Sequence, residues 1–149
     1  SKQAKNIYYV KNGFESLKTN NDGKTKKIIS RSNYDELRLV VSRSHLDVKS
    51  KNFLNKIENK KVFKRGSSLK FCMIAEGEAD LYLRYGKTME WDIAAGHAIL
   101  KNANANLLDF KMKEIFYKKK NFINPSFLSF SNNFSKKIKQ IKTILNKLV

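Results

Sequence analysis

The hexapeptide Trp91-Asp92-Ile93-Ala94-Ala95-Gly96 sets one carboxylate just ahead of a run of small residues that reads as the start of a helix. The first turn of a helix leaves backbone N–H groups without partners and carries partial positive charge, so a negative charge is favoured there. A carboxylate in that place has two uses. It can cap the helix by accepting from those N–H groups, or it can hold a hard cation such as Mg²⁺, which takes oxygen ligands. Glu76, Glu78, Asp80 and Glu90 are the other acids close by, but Glu76 to Asp80 fall at a helix-to-strand turn, where acids are ordinarily solvated.

Read in order, the segments around Asp92 form a pattern. Gly66-Ser67-Ser68-Leu69-Lys70-Phe71-Cys72 is followed by Ala79-Asp80-Leu81-Tyr82-Leu83-Arg84, then by Thr88-Met89-Glu90-Trp91-Asp92. The run from Ser42-Arg43-Ser44-His45 through Gly96-His97-Ala98 resembles the 3′(2′),5′-bisphosphate nucleotidase branch of the inositol monophosphatase superfamily of Mg²⁺-dependent phosphomonoesterases. A looser likeness extends from Ile7 to Phe127 and ends in Asn124-Pro125-Ser126-Phe127. The resemblance implies that Asp92 is the catalytic and metal-binding carboxylate, completing a Mg²⁺ site with carboxylates from elsewhere and lying close to the substrate phosphate. It implies that Ser44, His45, Ser67, Lys70 and Arg84, with Asp92, contact a bisphosphate nucleotide. The expected reaction is hydrolysis of 3′-phosphoadenosine 5′-phosphate to AMP and phosphate.

The family's other metal ligands lie on a Glu-Glu pair and an Asp-Pro-x-Asp-Gly-Thr loop in its N-terminal half. Neither is in this sequence, whose one proline, Pro125, follows Asn124. The expectation is therefore a fragment, the C-terminal half of such an enzyme, inactive by itself and needing the N-terminal half as partner. Two departures from the family pattern concern the site. Leu83 stands where relatives often have Pro, which would loosen the approach of Arg84, and Asn104-Ala105-Asn106 replaces a Gly-Gly pair after the Asp92 helix. Asn tolerates a left-handed cap, so the helix can still end there.

The residue types suit an anion. Ser67 at a helix start offers a hydroxyl and N–H groups, Lys70 adds a point charge one turn later, and Arg84 can grip a phosphate with two donors. The plain alternatives are a cap for Ser67, a hydrogen-bonding loop residue for His45 and solvated cations for Lys70 and Arg84. Ser67-Ser68-Leu69-Lys70 also has the Ser-x-x-Lys spacing of penicillin-recognising acyl enzymes, but their supporting Ser-Asp-Asn and Lys-Thr-Gly elements are absent.

A formal net charge of +18 over 149 residues raises a rival, a basic nucleic-acid-binding or noncatalytic interaction domain. The basic residues are spread along the chain, and no RNA- or DNA-binding signature accompanies them, so nucleic acid is not the expected partner. A positive field also concentrates an anionic nucleotide. Cys72, the single cysteine, lies in the apolar stretch Phe71-Cys72-Met73-Ile74-Ala75 and reads as a buried thiol. No apolar run approaches the roughly 20 residues of a membrane span, and Ser1 to Asn6 carry no secretory pattern, so the expected location is cytoplasmic.

The periodicities predict a mixed α/β fold, and the resemblance implies a mixed sheet flanked by helices, as in the C-terminal half of an inositol monophosphatase-like sugar phosphatase. Predicted strands cover 6–11, 13–17, 37–42, 61–64, 79–84, 105–110 and 127–131, the first two joined at Asn12-Gly13. Thr19 to Lys27 reads as a polar loop. Helices are expected at 49–58, from Ser67 or Ser68 to Glu76 with Gly77 at C′, and from Trp91 to Asn102. The half-domain is assigned to 1–131 and a helical extension to 132–149. In the latter, Phe134, Ile138, Ile141, Ile144, Leu145 and Leu148 form one face and lysines the other, suited to packing on the domain or to peripheral membrane contact.

Overall fold

Strand β4, Leu37–Ser42, is built from residues that must be covered on both faces. The computed structural model, which describes residues 6–31, 36–44, 46–132 and 135–146, places it inside a five-stranded mixed sheet. The order is β5 (Lys60–Arg65), β4, β6 (Leu81–Arg84), β10 (Phe127–Ser131) and β8 (Ala105–Asp109). β4 runs parallel to β5 and β6, whereas β10 is antiparallel to both of its neighbours.

The period-two alternation of strands sorts the side chains into two cores. Val40, Tyr82 and Phe127 face helices α2 (Leu69–Ala75) and α3 (Glu90–Lys101). Leu39, Leu81, Leu83, Leu128 and Phe130 face α1 (Val48–Asn55) and α4 (Ser135–Asn146), whose Ile141, Ile144 and Leu145 are buried there. Leu83 is thus well seated, and β6 is regular up to Arg84.

A small antiparallel sheet, β1 (Ile7–Lys11), β2 (Glu15–Thr19) and β3 (Thr25–Lys27), covers the far side of α2 and α3 through Tyr8 and Val10. Asn12 and Gly13 both take positive φ, as the expected hairpin turn requires. The segment read as a loop at 19–27 contains β3, an edge strand exposed at all three positions and paired only with β2. β2 also starts two residues later than expected. A short ribbon of β7 (Thr88–Met89) and β9 (Ile123–Asn124) was not foreseen either.

Gly77 closes α2 with φ 76°, and Asn104 takes φ 57° beyond α3. Gly96 matters for packing. A Cβ there would come within 2.3 Å of the Phe71 ring, so α2 and α3 approach at a distance that only glycine permits. No described helix is long and apolar enough to cross a membrane.

Candidate functional site

The carboxyl ends of β4 and β6 lie side by side, and β10 enters beside them with Phe127 opposite Arg84. In open α/β sheets, ligands bind beyond the carboxyl ends of parallel strands. Here that region is a cleft of about 420 Å³ whose lining includes Ser42, Ser67, Lys70, Arg84, Lys87 and Asp92. Four of the expected site residues, Ser67, Lys70, Arg84 and Asp92, therefore converge from α2, β6 and α3. Phe71, Tyr82 and Phe127, packed edge-to-face and stacked, form the apolar floor.

Ser44 does not join them. β4 ends at Ser42, the chain bends at residues 43 and 44, and Ser44 points into solvent while Ser42 lines the cleft. His45 lies outside the described residues.

Lys70 is only 5% exposed. Its Nζ donates to the Ser67 carbonyl at 2.6 Å and sits 5.1 Å from the centre of the Tyr82 ring. Burial, and next the charge of Arg84, bring its ammonium down to about 8. Burial pushes the Tyr82 hydroxyl up to about 12, against the pull of Arg84. Arg84 packs against Gly86, where a Cβ would stand 3.2 Å from its guanidinium, and its buried Nε has no hydrogen-bond partner. Among the described residues no salt bridge engages Lys70, Arg84 or Lys87. Cations that repel one another and are held in no salt bridge leave a place for an anion.

Ser67 holds φ 50°, a left-handed conformation that costs a non-glycine residue energy and gathers at ligand sites. The helix cap is Ser68, whose side chain makes no capping bond, so α2 begins one residue later than the Ser67 alternative.

Asp92 is not ahead of its helix. α3 starts at Glu90, and Asp92 occupies the third position of the first turn, exposed, with Oδ2 accepting from the Met89 N–H at 2.7 Å. The carboxylate therefore caps and also faces the cleft. Mg²⁺ takes near-octahedral oxygen coordination. Among the described residues no group of three acidic, His or Cys side chains gathers that could hold a metal ion.

Glu76, Asp80 and Glu90 are committed to protein partners, whereas Glu78 is exposed as expected. Glu76 accepts from Tyr8 Oη at 2.8 Å and Lys18 Nζ at 2.5 Å, tying the small sheet to α2. Asp80, fully buried, accepts from the Arg38 N–H and lies 3.7 Å from Arg31. Glu90 accepts from the N–H groups of Lys118 and Lys119 and pairs with Lys119 Nζ at 2.7 Å. Glu78 lines a separate groove with Lys61 and Arg65.

Lys87 lines the cleft as well, although the sequence did not single it out, and Thr88, quoted above only as part of the pattern, stands beside it. His97, at the end of the quoted run, faces away. It meets the Tyr117 hydroxyl at 2.8 Å in a second cleft of about 400 Å³ between α3 and β8, remote from the cations above.

Known proteins resemble this arrangement. A profile of the inositol monophosphatase family matches residues 4–145. The 3′(2′),5′-bisphosphate nucleotidase CysQ of Escherichia coli (strain K12) is 44% identical over 90 residues, 60% of this chain and 37% of that protein. Its namesake from Buchnera aphidicola subsp. Acyrthosiphon pisum (strain APS) is 53% identical over 76 residues, 51% of this chain and 29% of that protein. The crystal structure of CysQ from Bacteroides thetaiotaomicron, a bacterial member of the inositol monophosphatase family, matches with a TM-score of 0.78 at 29% identity, over 87% of this chain and 55% of that one. The chain spans 37% of the length of the first of these curated relatives.

Proposed function

The chain belongs to the inositol monophosphatase family, and from that premise we propose that it is the phosphate-recognising part of a 3′(2′),5′-bisphosphate nucleotidase. The reaction is hydrolysis of 3′-phosphoadenosine 5′-phosphate, in which a water oxygen joins phosphorus, the ester P–O bond breaks and AMP and phosphate leave. The observation that carries this reading is the convergence of Lys70, Arg84 and Ser67 on one cleft with no acid paired to the two cations.

In this reading Lys70 and Arg84 bind and orient the phosphates. Charge-assisted contacts of this kind are worth about 1.5–3 kcal/mol each. Ser67 adds a hydroxyl donor, while Ser44 and His45 are assigned to the nucleotide by resemblance alone. Asp92 contributes one ligand oxygen to a divalent cation, whose other ligands come from a complementary segment. The chemistry a bound Mg²⁺ supplies is neutralisation of charge on the phosphoryl oxygens and activation of a water.

The test is complementation. This chain, mixed with the N-terminal half of a relative carrying the Glu-Glu and Asp-Pro-x-Asp-Gly-Thr elements, should release phosphate from 3′-phosphoadenosine 5′-phosphate only when Mg²⁺ is present. Asp92→Asn should abolish that release. Equal release without the added half, or without Mg²⁺, would defeat the reading.

A further inference from the structure

Five aromatic side chains are exposed among the described residues, and two of them, Trp91 and Phe122, stand together at the mouth of the cationic cleft. Trp91 is 66% exposed and lines the cleft beside Asp92, and Phe122, 48% exposed, lies with its ring centre 5.9 Å from the indole at 45°. Water-exposed pairs of large rings cost solvation free energy unless something covers them.

The pair is held there by construction. Phe122 takes φ 58°, which is unfavourable for an aromatic residue, and its carbonyl accepts from the Glu90 N–H at 2.9 Å. Glu90 in turn grips the backbone at Lys118 and Lys119, and β9 begins at the next residue with Ile123 paired to Met89. The loop is thus anchored on both sides of Phe122, and the turn that brings Phe122 against Trp91 is fixed by a buried acid.

We propose that the Trp91–Phe122 pair is the platform on which the nucleobase stacks while the phosphates are held deeper, at Lys70 and Arg84. This rests on the bisphosphate-nucleotide reading above and adds to it the residues that would recognise the base. The cleft volume of about 420 Å³ falls in the range of whole small-molecule sites. A π-face next to a cationic pocket is what a nucleotide, with one aromatic end and one anionic end, complements. Stacking tolerates any base, so the platform would separate nucleotides from sugar phosphates more than it separates adenine from guanine.

Trp91 is the only tryptophan in the chain, so its fluorescence reports this site alone. Adenosine 3′,5′-bisphosphate titrated into the chain should quench Trp91 emission, whereas inorganic pyrophosphate should bind without quenching it. By calorimetry, Trp91→Ala should weaken adenosine bisphosphate binding about 5- to 100-fold and leave pyrophosphate binding unchanged, and Trp91→Phe should retain most of the affinity. Phe122→Ala should give a smaller loss in the same direction. If the nucleotide binds with emission unmoved and Trp91→Ala keeps full affinity, the platform is wrong and the phosphate site stands. If pyrophosphate and adenosine bisphosphate both fail to bind the unaltered chain, the phosphate-site reading falls, and the platform with it.

Discussion

Glu90 and Asp92 sit two residues apart on the first turn of α3 and have opposite fates. Glu90 is buried and engaged by two backbone N–H groups and the Lys119 ammonium; Asp92 is exposed at the cleft, with one oxygen on the Met89 N–H. The helix turn rotates successive side chains by about 100°, so neighbours in sequence face different surroundings. One acid is spent on fixing a loop and the other remains available for a ligand. The same division runs through the cations, since Lys18 and Lys119 are paired and Lys70 and Arg84 are not.

The contrast depends on how closely α2, carrying Lys70, approaches α3, carrying Asp92. Gly96→Val tests that approach. The added carbons must displace Phe71, which is itself locked between Tyr82 and Phe127. Overpacking of this kind costs about 1–3 kcal/mol, and the backbone-tight contact places the variant at the upper end. Urea denaturation should report about 3 kcal/mol lost, with anion binding weakened because the two helices have moved apart. An unaltered midpoint would mean that α2 and α3 slide freely and that the separation between Lys70 and Asp92 is not set by packing.

Removing the unpaired cations comes next in size. Lys70→Ala or Arg84→Ala should weaken binding of a dianion to the cleft by roughly 10- to 100-fold, the equivalent of one charge-assisted contact. Lys18→Ala, taken from a paired cation, should leave that binding unchanged. Burial and the Arg84 charge hold Lys70 near 8, so its protonated, anion-binding form is lost as pH rises through that value. Sulfate, whose charge is constant over this window, should bind the unaltered chain more weakly at pH 9.5 than at pH 7. Lys70→Arg should flatten the dependence, since a guanidinium stays charged. Calorimetry at both pH values decides the matter.

Much of this was legible before the structure. β4, β6 and β10 follow from apolar runs bounded by turns, and α3 from its small and apolar periodicity. What the sequence hides is pairing across distance. Glu76 and Asp80 look like solvated acids because their partners, Tyr8, Lys18, Arg31 and Arg38, come from strands or loops 42 to 68 residues away. β3 was missed because Thr25-Lys26-Lys27 has no apolar alternation and is held only by the β2 ladder. That Ser42 rather than Ser44 lines the cleft is not legible either, because a bend after β4 leaves no trace in residue type. Lys87 gave no signal beyond its charge.

Glu90→Gln should have a local effect. The Lys119 hydrogen bond, with further bonds from both backbone N–H groups and the Lys119 charge, holds the Glu90 carboxyl below its ordinary range despite the opposing effect of desolvation. A carboxyl depressed in the folded state stabilises it above the unfolded pKa, and that contribution disappears as pH falls through the folded value. Hydrogen exchange should therefore quicken at the Lys118 and Lys119 amides on acidification below about pH 4.3. Glu90→Gln should exchange faster there already at neutral pH. Equal protection in both proteins would mean that β7 and β9 hold the loop without Glu90.

Asp92→Asn is the smallest change and the most informative about the second acid. Asn can still accept from the Met89 N–H, so the cap persists and only the favourable charge at the helix start is lost, about 0.3–1 kcal/mol. In the absence of divalent ions the carboxylate repels an anion held by Lys70 and Arg84. At exposed positions such a repulsion is worth about 1 kcal/mol at contact distances, so the Asn variant should bind sulfate up to roughly fivefold more tightly. Asp92→Ala should show the same gain with a larger loss of stability, because it also removes the cap. Weaker sulfate binding by the Asn variant would mean that the carboxylate orders the cations rather than opposing the anion. The two acids of α3 would then differ in exposure but share a structural task.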